Sequence, residues 1–224
     1  MRSEISSAQV GFNPMQARMA KLCPKSGKEG SMWYVVQTLT GQEENTRIAI
    51  GQAVEFESLN LESSDSPQRF KPILEKCFVP RYQTMQKKGG ELVACMETLF
   101  PGYLIVSTER VNDLASCIRR RLRSAQIIGS RSKSFIPLSK EEVAWIDAFT
   151  NGGTGVIEMS TGIVSTGDTI KVIEGPLIGR EGWIRKINHR RKVAYLEMSA
   201  FGRTIQAEVG LRVVRKQPVS KRDK

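Results

Sequence analysis

The first sustained apolar pattern along the chain begins near Met32, where Trp33-Tyr-Val-Val-Gln-Thr38 forms a β-branched and aromatic run that predicts a strand. Residues 1–31 before it are polar, carry Pro14, Pro24 and several glycines and serines, and show no period, so a mobile N-terminal arm is expected. After Gly41 the spacing of Ile48, Ala49, Val54 and Phe56 suits one face of a helix. The turn-rich stretch from Asn60 to Pro67 leads to two strand-like segments, Leu74 to Lys88 and Glu91 to Leu99, joined as a hairpin at Lys88-Gly-Gly90. Phe100-Pro-Gly-Tyr103 turns the chain into a further strand, Leu104-Ile-Val-Ser107.

Helical spacing returns with Val111, Leu114, Ala115, Ile118 and Leu122, and Arg119, Arg120, Arg121 and Arg123 fall on the last turns, where cations suit the helix dipole. A third helix is predicted from Ser139: Glu142 completes the capping-box pattern, and Val143, Ile146 and Phe149 supply the apolar face. Asn151-Gly-Gly-Thr-Gly155 opens the expected linker, residues 151–166, because consecutive glycines inside a packed element carry a high entropic cost. Beyond Asp168 short alternating segments dominate: Ile170/Val172, Ile184/Ile187, Ala194/Leu196/Met198, Ile205/Ala207/Val209 and Leu211 to Val214. Such closely spaced short strands suggest a small, partly open barrel over residues 167–216, followed by a basic tail, 217–224. The fold class expected is an α+β N-terminal domain over 32–150, an antiparallel sheet with flanking helices, plus a small all-β barrel.

Composition sharpens this picture through charge. The net charge of +11 divides as +3 for residues 1–31, +1 for 32–150, −1 for 151–160 and +8 for 161–224. Attraction to a polyanion depends on local density, so the C-terminal quarter is the part that seeks an acidic partner. Cys23, Cys77, Cys95 and Cys117 are widely separated and the lone histidine, His189, lies in the basic run Asn188-His-Arg-Arg-Lys192. A Cys/His metal site has little to draw on, and neither a nucleophile with its base nor a catalytic carboxylate pair can be named. A protein without enzymatic activity, metal or cofactor is therefore expected. No apolar run approaches the roughly 20 residues that span a bilayer, and the first residues lack a secretory apolar centre; a cytoplasmic monomer without membrane contact is expected.

The glycine-rich stretch from Gly167 to Ile187 lacks both the strand-to-helix context and the Gly-Lys-Ser/Thr ending of a phosphate-cradling loop. Its glycines read instead as barrel corners: Gly175-Pro176 as a tight turn, Gly179 and Gly182 as a bend into the next strand. This stretch, GDTIKVIEGPLIGREGWI, resembles the KOW motif. Trp33-Tyr-Val-Val-Gln-Thr followed by Gly41 and a helix resembles the opening of the NusG N-terminal (NGN) domain, and Phe100-Pro-Gly-Tyr103 that family's strand entry. The chain is thus identified by resemblance as a member of the NusG family over roughly residues 32–216. Ile136-Pro-Leu-Ser139, Gly175-Pro-Leu177, Leu196-Glu-Met198, Phe201-Gly-Arg-Thr204 and Val209-Gly-Leu211 look most like the LoaP group of specialised antitermination factors, whereas Gln126-Ile-Ile-Gly-Ser-Arg131 departs from the housekeeping pattern.

The resemblance implies an NGN-like domain followed by an SH3-like KOW barrel. It also implies that the first domain meets the coiled-coil tip of the RNA polymerase clamp, with Trp33, Phe100, Pro101, Gly102 and Tyr103 near that surface. The competing assignment for these residues is core packing or turn geometry, since aromatic side chains are more often structural. In the second domain Arg180, Arg185, Lys186, His189, Arg190, Arg191, Lys192 and Arg203 form the candidate RNA-contacting set, for nascent structured RNA; a solvated basic face is the alternative. Phe201 is a candidate protein contact should the barrel instead meet a ribosome or termination factor. A ribosome-associated RNA-binding protein accounts for the barrel but not for the preceding domain.

Overall fold

In the computed structural model the described residues are 31–62, 72–129, 134–150, 154–164, 170–201 and 203–214. The expected N-terminal arm, except Ser31, and the basic tail lie outside them, as do Gly167 and Asp168 of the glycine-rich stretch.

Strand β1 (Met32–Gln37) is buried from Trp33 to Val36, so the sheet it belongs to is covered on both faces. β1 pairs antiparallel with β5 (Tyr103–Thr108) in a register running from Met32 opposite Thr108 to Gln37 opposite Tyr103. β2 (Lys76–Phe78) and the short β6 (Gln126–Ile127) complete the order β2-β5-β1-β6. On one face Tyr34, Val36, Leu104 and Val106 pack with Ile50 of helix α1 (Glu43–Glu62) and Leu114 and Ile118 of α2 (Val111–Arg121). The other face, with Trp33 and Ile105, packs with Phe78 and with Trp145, Ile146 and Phe149 of α3 (Lys140–Phe149).

The helices start where the sequence places them, but α1 turns a different side inward. Ile48 and Phe56, expected on its apolar face, are 45% and 49% exposed, and the buried stripe is Glu43, Thr46, Ile50 and Ala53. Two polar residues occupy that stripe because each has a partner: Thr46 Oγ1 lies 2.8 Å from Thr38 Oγ1, and Glu43 accepts backbone N–H groups. α1 also continues through Asn60 into the stretch expected to be a turn. At α3 the capping box is complete: Ser139 Oγ accepts from the Glu142 N–H at 3.1 Å and the Glu142 carboxylate accepts from the Ser139 N–H at 2.7 Å.

A second sheet, order β4-β3-β7, is built on the hairpin of β3 (Arg81–Lys88) and β4 (Glu91–Thr98). Gly89 and Gly90 both take positive φ, +59° and +95°, as a tight hairpin turn of matching twist requires. β7 (Val156–Ile157) runs parallel to β3 and Ile157 is fully buried, so the segment expected as a linker contains ordered strand. β8 (Ser160–Val164) follows it directly. β7 pairs with β3, and β8 with the strand Arg203–Val214, both far away in sequence, where local glycine content gives no indication of them, while β8 also pairs antiparallel with the adjacent strand Ile170–Glu174.

The third sheet has the order β10-β11-β12-β8-β9, from β9 (Ile170–Glu174), β10 (Ile184–Asn188), β11 (Val193–Ala200), β12 (Arg203–Val214) and β8. β12 is one continuous strand across the two segments expected around Gly210, and it pairs antiparallel with β11 and parallel with β8. Gly175 is a true corner: its φ is +96°, and a Cβ there would sit 2.7 Å from Ser160 Cα. Gly182 lies in a 3₁₀ turn, Glu181–Trp183, with open space around it. The molecule thus has a mixed α/β N-terminal domain and a β-rich C-terminal region, and β12 crosses β3 so closely that a Cβ on Gly210 would lie 2.1 Å from the Gln83 carbonyl oxygen.

Candidate functional site

The turn Phe100-Pro-Gly-Tyr is held by its backbone. Gly102 has φ +83°, and an added Cβ would press on Thr40 Oγ1 and the Thr38 carbonyl at 3.2 and 3.3 Å. Its N–H donates to Glu43 Oε1 at 2.6 Å, its carbonyl accepts from the Thr38 N–H at 2.8 Å, and Gly41 N–H donates to the same Glu43 oxygen at 3.0 Å. Burial opposes the charge of Glu43, but the N–H groups of Gly102, Glu43 and Gly41, with Arg81 nearby, hold its carboxyl below the usual carboxylate range.

This turn presents Phe100 and Tyr103 to the C-terminal region. The Phe201 ring, at the tip between β11 and β12, meets Phe100 edge-on at 5.3 Å and Tyr103 at 6.5 Å, and Phe100 also meets Trp145 at 6.3 Å. Phe201 has φ +56°, a left-handed conformation unusual for so bulky a residue. Its N–H is bound by the Glu142 carboxylate, the same side chain that closes the α3 capping box. Nearby, Arg203 reaches the Tyr103 hydroxyl at 3.1 Å and lies over its ring, and Trp183 packs on Trp145 and Phe149 at 6.0 and 5.7 Å.

A cleft of about 730 Å³ opens beside these aromatics, lined by Tyr82, Glu97, Arg185, Lys186, Arg191 and Glu208 among others. Tyr82 Oη lies 2.6 Å from Glu97 and 3.2 Å from Glu208, and Arg191 Nη2 lies 3.5 and 3.2 Å from the same two carboxylates. Burial first, then the hydrogen bond to Glu97, raises the Tyr82 pKa and keeps its single proton in place. Burial works against the charge of Arg191, but Glu208 and Glu97 more than offset it and raise its pKa. The Arg191 carbonyl is also bound, by Thr84 Oγ1 at 3.3 Å.

The sequence-predicted residues divide accordingly. Phe100, Tyr103, Phe201 and Arg203 come together, whereas Trp33 is buried away from them, edge-on to Phe78 at 5.6 Å. Pro101 is exposed and Gly102 serves the turn. Arg185, Lys186, His189 and Arg190 are exposed on the β10–β11 hairpin, with Lys192 half-buried at φ +54°. Arg180 stacks on Trp183 at 4.6 Å, and Arg185 pairs with Glu197 at 3.1 Å. Tyr82, Glu97, Glu208, Gly210 and Glu43 carry no signal in the sequence that marks them out. Their roles depend on partners across long stretches of chain, and Glu142 is recognisable there only as a cap.

Burial pushes the Cys77 thiol up to about 12 and raises that of Cys117, so neither presents a ready thiolate. Among the described residues there is no group of three or more His, Cys, Asp or Glu side chains placed to hold a metal, and no helix is long and apolar enough to cross a membrane.

The fold defines a class: a mixed α/β domain with an aromatic turn, followed by a basic β-rich region that packs against that turn. The chain belongs to the NusG family; the family model for "Transcription termination factor nusG" matches residues 31–147. Its relatives named "Transcription termination/antitermination protein NusG" include that of Neisseria meningitidis serogroup B, 24% identical over 82% of this chain and 97% of the relative. That of Thermus thermophilus is 26% identical over 79% and 94%, and that of Escherichia coli K12 22% identical over 82% and 95%. The solved structure "Domain interaction in Thermotoga maritima NusG" superposes with a TM-score of 0.48 at 19% identity, covering 80% of this chain and 93% of that one.

Proposed function

We propose that this protein is a transcription elongation factor acting as a processive antiterminator. Its N-terminal domain engages the coiled coil of the RNA polymerase clamp through the surface around Phe100 and Tyr103. Its C-terminal region, a KOW barrel in this reading, contacts structured nascent RNA, as in the LoaP group. The observation that carries the RNA assignment is the β10–β11 hairpin, which holds Arg185, Lys186, His189 and Arg190 in solvent within a segment of charge +8. Membership in the family supports the polymerase assignment. In the closed arrangement Phe100 is only 6% exposed, so engagement of the clamp requires the C-terminal region to move aside.

The test is RNA affinity measured by fluorescence anisotropy across salt concentrations. Affinity should fall with salt, and Lys186→Glu with Arg190→Glu should flatten the log-log slope by about 0.7 for each phosphate that is no longer neutralised. A specific stem-loop should outcompete bulk RNA, because charge attracts any strand while shape and unpaired bases select one. Equal affinity for every RNA supports a second reading, a housekeeping factor whose barrel meets a ribosome or termination factor. Phe201 is what favours that reading: it is an apolar ring carried on a hairpin tip and only half-buried.

A further inference from the structure

Two residues of the candidate RNA surface are also interdomain fasteners. Arg191 sits between Glu97 of β4 and Glu208 of β12, one carboxylate from each side of the interface, at 3.5 and 3.2 Å. Arg203 holds the Tyr103 hydroxyl at 3.1 Å beside the buried Phe100. A guanidinium that turns its two-donor edge to a phosphate has fewer of its five N–H donors left for these partners, so the phosphate draws on the same donors that fasten the interface. We propose that structured RNA and interdomain closure compete for Arg191 and Arg203, so that RNA binding is the event that uncovers the polymerase-facing surface.

The cluster is built to change sign. With Arg191 in place, two carboxylates share one cation and the single proton of Tyr82. With Arg191 withdrawn onto a phosphate, Glu97 and Glu208 face each other across the interface with no cation between them, only the Tyr82 proton and the neutral Gln86 amide that donates to Glu97, and attraction gives way to like-charge repulsion. The rest of the interface depends on close fit: Gly210 lies under the Gln83 carbonyl, where no side chain has room, and Phe201 is held in a left-handed conformation by Glu142. A small separation at Arg191 therefore disturbs packing that has little tolerance. The coupling is reciprocal: whatever opens the molecule also strengthens RNA binding, because the arginines no longer have to be detached.

The inference rests on the RNA reading given above, and the full-length chain labelled with 5-fluorotryptophan tests both. The three tryptophans supply the probes. Trp145 and Trp183 touch across the interface, while Trp33 is packed within the N-terminal domain and reports that it stays folded. Gly210→Ala wedges β12 from β3 without altering charge, and Glu97→Gln, which weakens the cluster alone, serves as an independent second variant. A short stem-loop RNA should move the fluorine resonances of Trp145 and Trp183 in the wild-type chain to the positions seen in Gly210→Ala without RNA, with Trp33 unmoved. Both variants should bind the RNA more tightly, by roughly three- to tenfold. RNA that binds all forms with equal affinity and leaves Trp145 and Trp183 unshifted overturns the coupling while sparing the RNA reading. Absence of RNA binding by all forms at low salt overturns both.

Discussion

At the scale of single residues, Glu43 does more than its position in a helix suggests. Its carboxylate fixes the Phe100-Pro-Gly-Tyr turn from the start of α1, joining two segments far apart in sequence through the N–H groups of Gly41 and Gly102. Hydrogen bonds to a charged acceptor contribute about 1.5–3 kcal/mol each, so Glu43→Ala should lower unfolding stability in urea by about 2–3 kcal/mol. The folded-state pKa of Glu43 is depressed, so its contribution is full above the unfolded carboxylate pKa of about 4.3 and is lost as pH falls through the folded value. Between about pH 5 and 3 the wild-type protein should therefore lose more stability than Glu43→Gln, which cannot titrate. Parallel loss in the two proteins would show that the carboxylate charge is not what holds the turn.

At the scale of elements, α3 is the clearest case of local chemistry deciding structure. Ser139→Ala removes one half of its capping box and should cost about 1 kcal/mol by thermal or urea unfolding, leaving the Glu142 bond to Phe201 in place. The same element shows what is readable in the sequence. The cap, the apolar positions Ile146 and Phe149, the Gly89-Gly90 hairpin and the strand after Gly102 all follow from neighbours within a few residues, and each is legible. The inward side of α1 is not, because Glu43 and Thr46 are buried by partners on other elements while Ile48 and Phe56 face out. Phe56 instead lies under the Arg121 guanidinium of α2, 4.0 Å from ring to cation. Strand β7, and β8 where it pairs with β12, resemble linker in local pattern for the same reason, since those hydrogen bonds go to strands that are distant in sequence and that local pattern does not reveal. Of the candidate site, the aromatic and basic residues are legible by type. The carboxylates that tie Arg191 down are not, because scattered glutamates give no signal until the chain is folded.

At the scale of the whole molecule, the boundary between the two halves determines which fragments can be studied apart. A fragment ending at residue 150 lacks β7, and with it the fully buried Ile157 and the pairing to Arg81 and Tyr82. A fragment ending at Glu158 keeps them, and it should unfold at a higher temperature than the shorter one in calorimetry. If the surface around Phe100 is the polymerase contact, the fragment ending at Glu158 should also bind an isolated clamp coiled coil more tightly than the full chain does, because nothing covers that ring. Equal affinity for fragment and full chain, measured by titration calorimetry, would mean that Phe100 takes no part in the binding.

The placement of Phe201 against Phe100 within one chain also sets a concentration scale. A docked segment joined to its receptor by a short connection acts as a ligand present at an effective concentration on the order of millimolar, whatever the amount of protein in solution. Any partner that binds the Phe100 surface at micromolar levels must therefore be intrinsically much tighter than the β-rich region it displaces, or must arrive after something else has loosened it. Dilution leaves the closure itself unchanged, since Phe201 and Phe100 travel in one chain, and weakens only the separate partner's side of the competition. A separate copy of the C-terminal region added at micromolar concentration would leave the surface largely open where the attached copy keeps it closed.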